Sequence, residues 1–202
     1  AALGARLLDE AGRDLPDGGG ALAELAMLDL SGLHPRLREV SLTVACDVNN
    51  PLLGEQGAVA IFAPQKGAGP AEREVLERGL AHFAGFVTAA MGRDDTHRPG
   101  AGAAGGVGYA AQAVLGARMQ PGAELVLELM GFQTLCAGAA LVITGEGSLD
   151  LQTLLGKTPA GVAKAAQAHG IPVVAVCGRS LLSAQDVAAS GIAAVYALTD
   201  LE

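Results

Sequence analysis

Three short apolar runs, residues 140–143, 173–176 and 193–198, close the chain, with helical patterns over 159–169 and 183–189 between them. Runs of that length bounded by turns read as buried strands, and Gly170 marks the end of the first intervening helix. The order β-α-β-α-β leaves one economical solution, a parallel sheet joined by right-handed crossovers. Composition agrees. Half of the 202 residues are apolar, mostly Ala, Leu and Val, Gly is abundant at 29, and aromatics are only 3%. That suits close-packed α/β layers with many turns, in one large domain or two small ones.

The exit of the first of these strands carries the chemistry. After Thr144, the residues Gly145, Glu146, Gly147 and Ser148 read as a turn that bares backbone N–H groups. Asp150 and Lys157 flank a short segment before Pro159 opens a helix at its first turn. Strand, glycine turn, acid, lysine and helix start are the parts of a phosphate or metal–phosphate cradle. Neither common nucleotide loop fits. A P-loop needs glycine where Leu151 stands ahead of Gly156-Lys157-Thr158, and a dinucleotide fingerprint needs glycine where Asp150 stands. A tight strand-to-helix turn with a capping Ser or Asp explains the same residues, and the stretch alone leaves both readings open.

Upstream, residues 1–12 read as the end of an amphipathic helix, 21–28 as a short helix, and His34-Pro35 as a turn. Residues 42–48 form a strand candidate with Asp47 at its carboxyl edge, followed by Asn49-Asn50-Pro51. Polar groups there occupy the ligand-binding position of open α/β sheets, or close the strand in an Asx-turn. Lys66 ends a second apolar run, 58–63, and either reaches a phosphate or is solvated. Val75, Leu76, Leu80, Phe83 and Val87 make 71–91 an amphipathic helix that also carries His82. A glycine-rich loop follows over 92–106, long enough to suggest function or disorder, with His97 and Arg98 as its cations. Gly105 and Gly106 feed a helix over 107–118 whose N-terminus could take an anion. No strand precedes the match to G-x-G-x-x-A over 106–111, so a dinucleotide reading fails. Residues 123–130 are helix or strand.

The formal charge of −8 and pI near 4.9 argue against nucleic acid or an anionic membrane as partner. An anionic ligand must then be held by local amides, a few basic side chains and a bridging cation. Cys46, Cys136 and Cys177 follow no C-x-x-C pattern and sit in apolar contexts, as in a protein of the reducing cytoplasm. The longest apolar run, 100–111, is too short for a membrane span, and no secretion signal opens the chain. With Ala as its first residue, the chain reads as a piece of a longer protein.

Three blocks together, VACDVNNPLLGEQGAVAIFAPQKGA, PGAGAAGGVGYA and LVITGEGSLDLQTLLGKTPAGVA, resemble the bacterial glycerate kinase type-1 family, ATP-dependent kinases of glyoxylate, glucarate and serine-cycle carbon. The resemblance covers residues 1 to about 198. It implies roughly twice this length, with P-D-S-F-K-x-S, D-G-G-E-G-T and G-G-S-A-T segments ahead of the chain and a helical tail behind it. It also implies two α/β domains, one discontinuous, with the active site in the cleft between them. Residues 1–138 would be most of the middle domain. Residues 139–202 would be a β-α-β-α-β part of the discontinuous, Rossmann- or flavodoxin-like parallel-sheet domain.

On that resemblance the reaction is phosphorylation of D-glycerate by ATP with Mg2+, and 2-phosphoglycerate is the favoured product. Asp47, Glu146 and Asp150 are the catalytic candidates. Asp47 is the first choice for base or magnesium-linked carboxylate and Glu146 or Asp150 for the other, with Asp47 or Glu146 as the magnesium candidate and the roles left open. Asn49, Lys66, Arg98, Gly105, Gly106, Gly145, Gly147, Ser148 and Lys157 are candidates for substrate or phosphate. A homodimer is one assembly option, and the fragment alone is expected to be inactive. Two other readings are a non-catalytic sugar-acid sensor domain and a nicotinamide oxidoreductase. The first lacks a helix-turn-helix or basic companion, and the second lacks the strand-linked glycine fingerprint.

Overall fold

A computed structural model of the chain describes residues 2–154 and 158–200. It divides into two compact units, Ala1–Met119 and Gln120–Glu202. The first begins with a hairpin, not the expected helix: β1 (Arg6–Leu8) pairs antiparallel with β2 (Met27–Asp29). Part of the reason is local. The Asp9 carboxylate accepts from the N–H groups of Ala11 and Arg13, both at 2.9 Å, and Gly12 turns left-handed at φ 73°. A short polar side chain that captures nearby amides competes with helix propagation. The helix expected over 21–28 is a 3-10 turn at Gly19–Glu24 that leads into β2.

Of the strand expected over 42–48, β3 (Thr43–Ala45) forms only the first part. The apolar run after Gly57 becomes α1 (Ala58–Phe62). The long amphipathic pattern is α2 (Pro70–Met91), with Gly79, Leu80, Ala84 and Val87 buried. Its start carries Pro70 at the first turn, where a missing N–H costs nothing, and Gly92 ends it at φ 69°. The helix expected over 107–118 stops early. It yields α3 (Val107–Ala113) and then β4 (Arg118–Gln120), which pairs with β3 in a two-stranded ribbon. Leu52, Val59, Leu80, Val87 and Tyr109 form the core of this unit.

In the second unit the ambiguous stretch is helical, as α4 (Gly122–Leu129), followed by α5 (Phe132–Cys136). These helices group with the second unit, ahead of the division expected at 138. The remainder follows the expected alternation: β5 (Val142–Leu149), α6 (Leu151–Leu154), α7 (Thr158–Gln167), β6 (Val173–Ser180), α8 (Ala184–Ser190) and β7 (Ala194–Ala197). The strands run parallel in the order β5-β6-β7. Val173, Ala175, Cys177 and Ala197 pack with Ala163, Ala166 and Val187 of the helices. On the other face Ile143, Val176 and Tyr196 stand exposed.

Candidate functional site

The second unit corrects the sequence reading where it matters most. Residues 145–148 are not a turn but the continuation of β5, with Gly145 beside Val176, Glu146 beside Cys177 and Ser148 beside Arg179. Neither Gly145 nor Gly147 takes a positive φ. Gly145 is needed for close approach instead, because a Cβ there would lie 2.3 Å from the carbonyl oxygen of Val176. The ladder occupies this backbone, so a nest of bare amides does not form over 145–148. What the extension delivers is side chains. Glu146 and Ser148, both half-buried, are carried to the carboxyl end of a parallel sheet, the end at which open α/β sheets bind ligands.

Asp150 follows directly, immediately ahead of α6. Its carboxylate Oδ1 accepts from the Thr153 N–H at 3.0 Å, and its own N–H donates to Thr153 Oγ1 at 3.2 Å. The Thr153 hydroxyl also makes a short hydrogen bond to Glu146 Oε1. One buried threonine therefore brings two of the three predicted acids together. From β6, the Arg179 Nε–H donates to Ser148 Oγ at 3.1 Å and adds a cation to the same edge. Lys157 lies outside the described residues.

Neither Thr153 nor Arg179 was picked out by the sequence reading. Continuing the strand of the second run, 173–176, by four residues would have set Arg179 at the same carboxyl edge as Ser148. The spacing of Asp150 and Thr153 is that of a helix-capping pair. Cys177, next to Glu146 across the ladder, has its thiol pKa pushed up by burial first, with the carboxylates of Asp200 and Glu146 adding to it.

The first unit gathers a second group. Asp47 stands just beyond β3, which belongs to a two-stranded ribbon and not to the expected open parallel sheet. The segment after it is laced to the glycine-rich loop: Gly102 N–H donates to the Asn50 carbonyl at 2.9 Å, and Leu52 N–H to the Thr96 carbonyl at 2.8 Å. The packing is tight, since a Cβ on Gly102 would lie 2.3 Å from the Pro51 carbonyl oxygen. The loop is ordered by Asp95, which is buried and paired with Arg93 at 2.8 Å and with Arg98 at 3.8 Å. Asp94 accepts from the Thr96 hydroxyl and N–H, and these bonds hold its carboxyl below the usual range. Arg98 thus has a structural partner as well as an exposed guanidinium. Ala104, Gly105 and Gly106 are all left-handed, with φ of 51°, 70° and 101°, immediately before α3. Asn49 is exposed, and Lys66 closes a 3-10 turn ahead of Gly67.

Among the described residues, no group of three His, Cys, Asp or Glu could hold a metal ion. The paired Glu146 and Asp150 fit a different mode, in which one or two carboxylates and substrate phosphates share a hydrated Mg2+. The cavities of about 600 Å³ are elsewhere. One lies over Glu124, Phe132, Gly161 and Lys164, and the other over Asp9, Leu25 and His82; neither is lined by the predicted acids. Polar side chains converge at the sheet edge, whereas the cavity beside Lys164 is lined by Gly161, Lys164 and Ala165 of α7.

The model of the glycerate kinase family matches residues 1–202. The chain belongs to the glycerate kinase family. It is 48% identical over 197 residues to a glycerate kinase of Halalkalibacterium halodurans, covering 98% of this chain and 52% of that relative. It is 43% identical over 197 residues to the glycerate 2-kinase of Escherichia coli, again covering 98% of this chain and 52% of the relative. A crystal structure described as glycerate kinase 2 from Salmonella typhimurium superposes with a TM-score of 0.83 at 43% identity, covering 97% of this chain and 50% of the other. The chain thus spans about half the length of the curated relatives it matches. Among the described residues no helix is long and apolar enough to cross a membrane.

Proposed function

We propose that the intact protein transfers the γ-phosphoryl group of ATP to a hydroxyl of D-glycerate, with 2-phosphoglycerate as product. The observation that carries this reading is family membership along the whole chain, with relatives named glycerate kinase and glycerate 2-kinase. It favours a kinase over a sugar-acid sensor or a nicotinamide oxidoreductase. Phosphoryl transfer asks a protein for in-line positioning and for neutralisation of charge on the transferring group. Asp47, Glu146 and Asp150 supply carboxylates, one to take the proton of the attacking hydroxyl and others to hold a cation. When bound, Mg2+ would neutralise phosphate charge. Ser148, Asn49, Lys66, Arg98, Lys157 and the left-handed backbone at Gly105 and Gly106 are assigned to substrate and phosphate oxygens.

The proposal includes a cytoplasmic location, which the free cysteines fit. It leaves room for a homodimer, for which exposed Leu129, Met130 and Leu135 offer apolar surface. The test is a coupled ADP assay on the intact protein with D-glycerate as acceptor, with the product resolved by phosphorus NMR. Glycerate-dependent ADP release with a 2-phosphoglycerate signal is expected. Turnover of NADH, or no glycerate-dependent release, would overturn the proposal.

A further inference from the structure

Thr153 is fully buried, at 0% exposure, yet its hydroxyl touches both carboxylates of the sheet edge. A hydroxyl has one proton to give. Thr153 Oγ1 lies 3.4 Å from Asp150 Oδ1 and much closer to Glu146 Oε1, so the proton goes to Glu146. Its acceptor side takes the Asp150 N–H at 3.2 Å. That bond and the Thr153 N–H to Asp150 Oδ1 bond at 3.0 Å together form a reciprocal helix cap, in which the hydroxyl proton has no part. Burying a hydroxyl is costly unless it is bonded, and valine would fill the same volume while losing both the bond from the Asp150 N–H and the one to Glu146. The bond from the hydroxyl proton to Glu146 is therefore the one that capping does not explain.

We propose that Thr153 is a positioning residue for phosphoryl transfer, holding Glu146 Oε1 so that the carboxylate presents Oε2 to a reacting hydroxyl or a cation. The inference rests on the kinase reading and on Glu146 being part of its site. A glutamate side chain has several rotatable bonds, and fixing it costs entropy at every turnover unless the fold has already done so. Thr153 does so through β5 and α6 together. It ties the carboxylate on the strand to the cap of the helix that follows.

The test is a double-mutant cycle on the intact protein, using Thr153→Val, Glu146→Gln and their combination, with Thr153→Ser as the conservative variant. Thr153→Val should lower kcat by about 10–100-fold, as a small misplacement does, with KM for ATP and D-glycerate nearly unchanged. Thr153→Ser should recover most of that loss. On the Glu146→Gln background, Thr153→Val should cost nothing further, since the two residues act as one unit. A loss of equal factor on both backgrounds, or an unchanged kcat in Thr153→Val, would overturn the positioning role while leaving the site reading intact. A Glu146→Gln enzyme with parental activity would remove the site reading and this inference with it. If Thr153→Val does not fold, Thr153→Cys against Thr153→Ser makes the same comparison at equal size, and equal activity of the two overturns the proposal.

Discussion

At the scale of single residues, the two glycines of β5 differ although they are two positions apart. A Cβ on Gly145 meets the Val176 carbonyl oxygen at 2.3 Å, whereas one on Gly147 meets nothing within 4 Å. Gly145→Ala should therefore destabilise by about 1–3 kcal/mol, as overpacking does. Gly147→Ala should stay within about 0.5 kcal/mol of the parent. Chemical denaturation of both variants checks this, and equal effects would mean that the β5–β6 spacing is looser than described. Asp47→Asn keeps the shape of the side chain and removes its charge. In the intact protein it should cut kcat by about 10²–10⁴-fold, with KM for glycerate moving far less and the melting temperature preserved. A loss below about threefold with normal stability, well short of that range, would make Asp47 a residue that closes its strand.

At the scale of elements, short helices depend on their caps. Ser183 Oγ accepts from the Asp186 N–H at 3.2 Å, and Asp186 Oδ2 accepts from the Ser183 N–H at 2.9 Å, so α8 starts with a reciprocal box. Ser183→Ala should cost about 0.5–2 kcal/mol. The Ser183 hydroxyl also donates to Asp186 Oδ2 at 2.6 Å, and this bond first, then the one from the Ser183 N–H, depresses the Asp186 pKa. With the folded value below the unfolded one of about 3.9, the carboxylate contributes stability above that pH, and the contribution is lost as pH falls through the folded value. Ser183→Ala should therefore flatten the acid limb of the stability–pH curve. An unchanged limb would show that Asp186 has no net role in folding.

At the scale of the whole molecule, the sheet β5-β6-β7 advances in one direction, and right-handed crossovers then put α7 and α8 on one face. Parallel sheets are ordinarily covered on both faces, and here Ile143 and Tyr196 remain 68% and 60% exposed. The chain also spans about half of its relatives. We expect residues 1–202 alone to give no glycerate-dependent ADP release in a coupled assay. Turnover near the common enzyme value of about 10 s⁻¹ would show that these residues carry a complete site.

The sequence by itself determined the parallel alternation of residues 140–198, the span of α2, and the family. Each is written in local periodicity or in contiguous motifs: apolar runs bounded by turns, a repeat at three and four residues from Val75 to Val87, and three ordered blocks. It also placed Glu146 and Asp150 in one stretch. Only the tertiary structure decided what that stretch does. Whether Gly145 turns or extends depends on Val176 lying beside it, a partner some thirty residues away that no local pattern encodes. The same holds for β1, where a pattern suited to a helix yields to pairing with β2, and for β3, shortened to the length that β4 can pair. Thr153 escaped notice for a related reason. A buried hydroxyl gains meaning only from the acids around it, and those are assembled by β5 and α6 folding back on one another.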